Sequence, residues 1–151
     1  YSSSPCFLMK HFVYLEDVAV ADIAFDAFGK TLEELFEHCA EAVFTMMVNL
    51  KTVEPTIERE IHLRADSLEN VLYDFLSELV YLKDTELLLF KTVKVTLGKD
   101  GKEHTLSATL HGEAIDRKKH ELGNDVKAVT MHMFSISKHK SGYKARVVVD
   151  I

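Results

Sequence analysis

Two stretches of this chain repeat apolar residues at three- and four-residue steps, and both lie among runs that alternate with period two. The first stripe is Leu32, Leu35, Phe36, Cys39, Val43, Phe44 and Met47. The second is Leu68, Val71, Leu72, Phe75, Leu76, Leu79 and Val80. Each spacing predicts an amphipathic helix with one buried face, and the Met and Phe content reads as core rather than as a cofactor pocket. Thr31-Leu-Glu-Glu34 opens the first helix as a capping box, in which the hydroxyl meets the N3 amide and Glu34 reaches back. Asp66 or Ser67 caps the second.

Strand patterns surround these helices. Alternation runs from His11 to Asp17 and from Asp22 to Phe28, with Gly29 ending the latter. Further runs cover Ile57 to Arg64 after Pro55, Leu87 to Leu97, His104 to Gly112, Val129 to Lys138 and Tyr143 to Ile151. Gly98-Lys-Asp-Gly101 and Lys140-Ser-Gly142 sit between paired runs as hairpin signals. Segregated strands and helices predict an α+β fold with largely antiparallel sheet packed against the two helices. Residues 1–10 read as a loose leader and 11–151 as one domain. In the last strand, Ala145, Val147, Val149 and Ile151 share the core face, which turns Lys144, Arg146, Val148 and Asp150 outward.

A chain of 151 residues buries roughly 68–70% of its unfolded surface and needs no disulfide staple. Cys6 and Cys39 have no metal or disulfide spacing; Cys39 reads as a small buried hydrophobe, and reduced thiols fit a cytoplasmic protein. No apolar run approaches the length of a membrane helix. The net charge of −6 argues against strong binding to a phosphate backbone, so a protein, a metal or a small molecule is the expected partner.

The chemistry concentrates between Gly112 and His132, a connection dense in ionisable groups. Asp116, Lys119 and His120 lie at i, i+3 and i+4 and share a face if the turn is helical, either as an acid–base cluster or as a salt-bridged turn. No G-x-S-x-G, no Gly-rich phosphate loop and no H-E-x-x-H occurs, and His38, His62, His104 and His139 read as solvated surface groups. Asp22 opens one strand, while Asp150 and the Ile151 carboxylate close the last. Read by spacing, these are strand-end surface acids. If the two strands meet, they form an oxygen-only set suited to Ca²⁺, Mg²⁺ or Mn²⁺.

These residues resemble the archease family. The resemblance runs through Ala21-Asp22-Ile23, Gly29 with Thr31-Leu-Glu-Glu-Leu-Phe36, Met47-Val48-Asn49, and Leu72 to Leu82. It continues through Gly112-Glu113, Asp116, Lys119-His120, Val126-Lys-Ala-Val-Thr130 with His132, and Asp150-Ile151. It implies a non-enzymatic partner of the RtcB-type, GTP-dependent RNA ligase, promoting guanylylation of the ligase and multiple turnover in tRNA splicing or RNA repair. It also implies a metal site, assigned to calcium, at Asp22, Asp150 and Ile151. Glu113, Asp116, Lys119, His120, Lys127 and His132 would shape the adjoining partner surface. One departure stands out: the family usually reads E-H-T-A-D-I, whereas Val18, Ala19 and Val20 precede Ala21 here, so Ala19 and Val20 replace its usual His and Thr. Two other functions compete. One is a stand-alone metal-dependent phosphoesterase using the same carboxylates with His120 or His132 as general acid. The other is a chaperone-like binding module.

Overall fold

The computed structural model describes residues 11–15 and 22–151. The leader at 1–10 with Cys6, the end of the first strand beyond Leu15, and the Ala19 and Val20 departure lie outside the described residues. The elements run β1 (Phe12–Leu15), β2 (Asp22–Gly29), α1 (Leu32–Met47), β3 (Ile57–Ala65), α2 (Leu68–Glu86), β4 (Leu88–Asp100), β5 (Glu103–Ala114), β6 (Ala128–His139) and β7 (Gly142–Asp150). All pairings are antiparallel. One sheet has the order β1-β2-β7-β6 and the other β3-β5-β4. This is the predicted α+β single domain, its strands divided between two sheets.

Each helix joins the two sheets. α1 packs on β2 of one and β4 of the other, and α2 on β6 and β3. That is why both helical stripes are continuous: Leu35, Phe36, Cys39, Val43 and Phe44 are fully buried, as are Val71, Leu72, Phe75 and Leu76. Phe25 and Val147 meet them from the first sheet, Leu106 and Leu110 from the second. Burial also pushes the Cys39 thiol far above its ordinary range, so it stays an inert hydrophobe.

The caps form with one change of partner. Thr31 Oγ1 accepts the Glu34 N–H at 3.1 Å, but the Glu34 carboxylate takes the Lys30 N–H, one residue before the cap. Ser67 rather than Asp66 caps α2, accepting from Asn70 N–H at 3.1 Å. The first hairpin turn is later than the sequence suggests. The β4–β5 ladder runs on to Asp100↔Glu103 and leaves Gly101-Lys102 as the turn, with Gly101 at φ 65°. Gly98 is therefore a strand residue. His38, His104 and His139 also differ, being half-buried; His38 stacks on the His11 ring at 3.8 Å and its Nδ1 meets the Phe28 carbonyl.

β4 lies at a sheet edge, and α1 closes it with side chains. Glu37 Oε2 accepts the Val95 N–H at 2.8 Å, and Glu33 Oε2 accepts that of Leu97 at 3.4 Å. At the far end of the molecule the alternation of β7 fails. Val148 and its cross-strand partner Ala24 are fully buried, although both point away from the main core. On the same face Arg146 grips Asp26 with two hydrogen bonds of 2.7 and 2.8 Å, a bidentate pair that leaves Asp26 buried. The face that carries Asp150 is thus covered at Val148, while Lys144, Arg146 and Asp150 on it are half-buried.

Candidate functional site

β5 delivers Gly112 and Glu113 at its end, and the chain then makes one helical turn. Lys119 and His120 donate their N–H groups to the Asp116 carbonyl at 3.0 and 2.8 Å, and the Asp116 carboxylate accepts from Lys118 N–H at 3.0 Å. The helical turn forms, but Lys119 and His120 direct their side chains to Glu113 rather than to the Asp116 carboxylate. His120 Nδ1 accepts the Asp116 N–H at 2.9 Å, which puts the ring proton on Nε2, and Nε2 lies 2.8 Å from Glu113 Oε1. Its side chain is 0% exposed. With both nitrogens engaged inside the protein, His120 organises the turn and is not placed as a general acid.

Glu113 is the hub. Besides His120 it accepts the Glu54 N–H at 2.8 Å and the Lys119 ammonium at 2.9 Å. The His120 hydrogen bond, then those of Glu54 and Lys119, pull its carboxyl down to about 2. Lys119 is held above its ordinary range, chiefly by its hydrogen bond to Glu113 and with help from Glu54, whose Oε1 lies 3.2 Å away. A carboxyl with a depressed folded-state pKa stabilises the fold above its unfolded value, and that stability drains away as pH falls from about 4.5 toward about 2. Glu113→Gln is accordingly expected to flatten the acid limb of stability. Urea midpoints measured between pH 5 and pH 2 check this, and an unchanged limb would exclude the hub's role.

Beyond this turn, residues 121–127 run as a strap across the ends of both helices. Gly123 and Asn124 donate to the carbonyls of Met47 and Met46, each at 2.8 Å, so the strap satisfies the end of α1. Lys83, in the last turn of α2, is the other anchor. Its ammonium lies 2.6 Å from Asp125 Oδ1, 2.7 Å from Asp84 Oδ1 and 2.7 Å from the Val126 carbonyl. Burial works against that charge, but the hydrogen bonds to Asp125 and Asp84 more than offset it and hold the pKa above its ordinary range. The sequence reading missed Lys83, Asp125 and Glu54. The first had a signal, since positions 72, 76, 79 and 83 continue the apolar stripe and place a lysine on the core side. Glu54 had none, because only the fold brings it to Glu113.

Two of the three expected acidic groups face each other where β2 meets β7. Asp22 and Asp150 are directly opposite in register, and Asp150 also pairs with Ala128 of β6. Residues facing one another in this way hold their Cβ atoms about 5 Å apart, and like charges so placed repel. Among the described residues neither carboxylate has an ion-pair partner, and no group of three acidic, His or Cys side chains is gathered as a metal cage. Ile151 is half-buried and packs on the core. Lys127 reaches this end by its backbone, its N–H donating to the Asp150 carbonyl at 2.8 Å while its side chain is exposed. His132 is exposed in the irregular stretch of β6 between Thr130 and Ser135, where Met133 has φ 56°. Glu113, Asp116, Lys119 and His120 are thus one cluster, Asp22, Asp150 and the Lys127 backbone another, and His132 stands apart from the hydrogen bonds of both. The first cluster borders an open cavity of ≈ 850 Å³ shared with Thr56, Ile57, Leu87 and Arg117. No described helix is long and apolar enough to cross a membrane.

Comparison with known proteins agrees with the fold and with the motifs. The model of the archease protein family matches residues 12–151. The protein named archease from Methanosarcina barkeri is 38% identical over 143 residues, covering 94% of this chain and 97% of its own. That from Pyrococcus furiosus is 42% identical over 133 residues, with 87% and 93% covered. A solution structure of a Methanobacterium thermoautotrophicum protein superposes with a TM-score of 0.84 at 39% identity, covering 95% of this chain and all of that one. The crystal structure of an archease from Thermotoga maritima, described as a possible chaperone, shares the fold at a TM-score of 0.59 and 21% identity over 88% of this chain and 93% of that one. The chain belongs to the archease family.

Proposed function

We propose that this chain is an accessory protein of an RtcB-type, GTP-dependent RNA ligase, which it helps to become guanylylated and to turn over repeatedly in tRNA splicing or RNA repair. In this reading it is not itself an enzyme, and it carries a hard-cation site at Asp22, Asp150 and Ile151, occupied by calcium or, at the same place, magnesium or manganese. The observation that supports the site most directly is the register Asp22↔Asp150. Two carboxylates fixed opposite one another without a cationic side chain among the described residues gain from an ion that offsets their repulsion, and an all-oxygen donor set favours a hard one. Bound there, the cation supplies positive charge at the end of the sheet. The chain's own part is to hold Asp150 by the Lys127 N–H and to keep the Glu113 turn rigid, with Lys127 and His132 exposed for a partner.

The chemistry belongs to the ligase in this account. His120 has both nitrogens engaged within the fold, which weighs against the phosphoesterase alternative as far as that residue is concerned. The test mixes substoichiometric protein with its cognate ligase, GTP, Mn²⁺ and RNA ends, and follows guanylylation and turnovers per ligase. Conversion from single to multiple turnover, lost with Asp22→Ala or Asp150→Ala, is the expected result. Unchanged guanylylation would overturn the reading, and suppression of aggregation of an unrelated protein would favour the chaperone-like module instead.

A further inference from the structure

Residues 115–127 form a long connection between β5 and β6 without helix or strand of its own, and such a segment keeps one course only if its backbone is tied down. Four main-chain bonds do so along most of its length: Ile115 N–H to Leu87 O, Asn49 N–H to Glu121 O, and the two from Gly123 and Asn124 to the end of α1, each at 2.8 Å. Asp125 and Val126 are held differently, by a side chain. The Lys83 ammonium, on a side chain only 10% exposed, is shared among Asp84, Asp125 and the Val126 carbonyl. An ammonium has three hydrogens, and here three acceptors take them, so the group is fixed in place. The next residue in the chain is Lys127, whose N–H meets the Asp150 carbonyl, and Ala128 then enters the ladder opposite Asp150.

We infer that Lys83 is a positioning residue for the acidic end of the sheet: by clamping Asp125 and Val126 it fixes the Lys127–Asp150 contact, and with it the presentation of Asp150 opposite Asp22 to a cation. The inference rests on the metal reading given above. Lys83 is not a ligand, and its own charge disfavours a cation nearby. That opposition fixes the sign of the test. If only the charge of Lys83 mattered, its removal would tighten cation binding; if its clamp matters, removal loosens binding. Partners that orient a ligand from behind it typically contribute 10–100-fold to metal affinity.

Calorimetric titration of Ca²⁺ into the full chain measures this, with hydrogen exchange of the Lys127 amide recorded with and without the ion. Lys83→Met keeps the apolar stem and is expected to raise the calcium Kd about tenfold and to speed exchange at Lys127. Asp125→Ala removes an acceptor whose side chain is 79% exposed, so the fold tolerates it, and it should shift both readouts in the same direction by less. Calcium binding that is equal or tighter in Lys83→Met, or an unchanged Lys127 amide in both variants, overturns the inference while leaving the metal site standing. Absence of calcium binding by the unsubstituted protein overturns the metal reading itself, and the two failures are told apart by that first titration.

Discussion

Asp22→Asn is expected to abolish the stabilisation that calcium gives this protein while leaving the metal-free form as stable as before, or slightly more so. The two halves of this result have separate origins. In the metal-free protein Asp22 faces Asp150 across β2 and β7, and relieving one such like-charge pair is worth roughly 0.2–1 kcal/mol in favour of the fold. With calcium at about 100 times its Kd, binding to the native state alone contributes about 2.7 kcal/mol. For a domain of this size that is a rise of about 5–10 °C in Tm. Thermal unfolding with and without calcium reads both halves. A variant that keeps the calcium-dependent rise places the ion elsewhere, and a variant already weakened without calcium makes Asp22 a structural residue.

The second large effect comes from a glycine. At Gly112 a Cβ would collide with the Leu89 carbonyl and lie 2.6 Å from Phe90 Cα, both backbone atoms of the neighbouring strand. No side chain there can step aside. The close approach occurs where the β4–β5 register shifts between Phe90 and Thr92, and Glu113 follows directly. Gly112→Ala is therefore expected to destabilise the protein by about 3 kcal/mol or more and to displace Glu113 from its three donors. Urea unfolding at neutral pH measures the loss, with Gly98→Ala as the control. At Gly98 a Cβ meets only the Thr105 hydroxyl at 3.1 Å, a group that can rotate. A loss below about 1 kcal/mol for Gly112→Ala would mean that the strands part easily at this point.

Much of this architecture was legible because it depends on local spacing. The two stripes gave the helices and their buried faces, and the caps at Thr31 and Ser67 followed from residue type. Where the reading slipped, a longer-range contact had decided. Gly98 looks like a turn, yet cross-strand pairing with Thr105 carries the ladder past it, and the turn falls on the glycine with positive φ. Val148 alternates outward by parity, but the sheet is covered there on both sides, a matter of tertiary packing that period two does not encode. The site divides in the same way. The turn from Asp116 to His120 was visible as i, i+3, i+4 spacing. Its true centre, Glu113, takes one donor from Glu54, which arrives from the far side of α2 and β4 in sequence. The adjacency of Asp22 and Asp150 was conditional on two strands from opposite ends of the chain being neighbours, which sequence spacing leaves open and the register decides.

The closure of β4 by Glu33 and Glu37 has a consequence for how this molecule meets others. An edge strand offers a ladder of unsatisfied donors on which a foreign strand can grow, and that route leads to fibres as readily as to complexes. Here two of those donors, on Val95 and Leu97, are already taken by carboxylates of the protein's own helix. An incoming strand would have to evict both and then lie beside their negative charge. Polymerisation through this edge is thus opposed by chemistry as well as by geometry, at a cost to the invader that no matching of its side chains can remove.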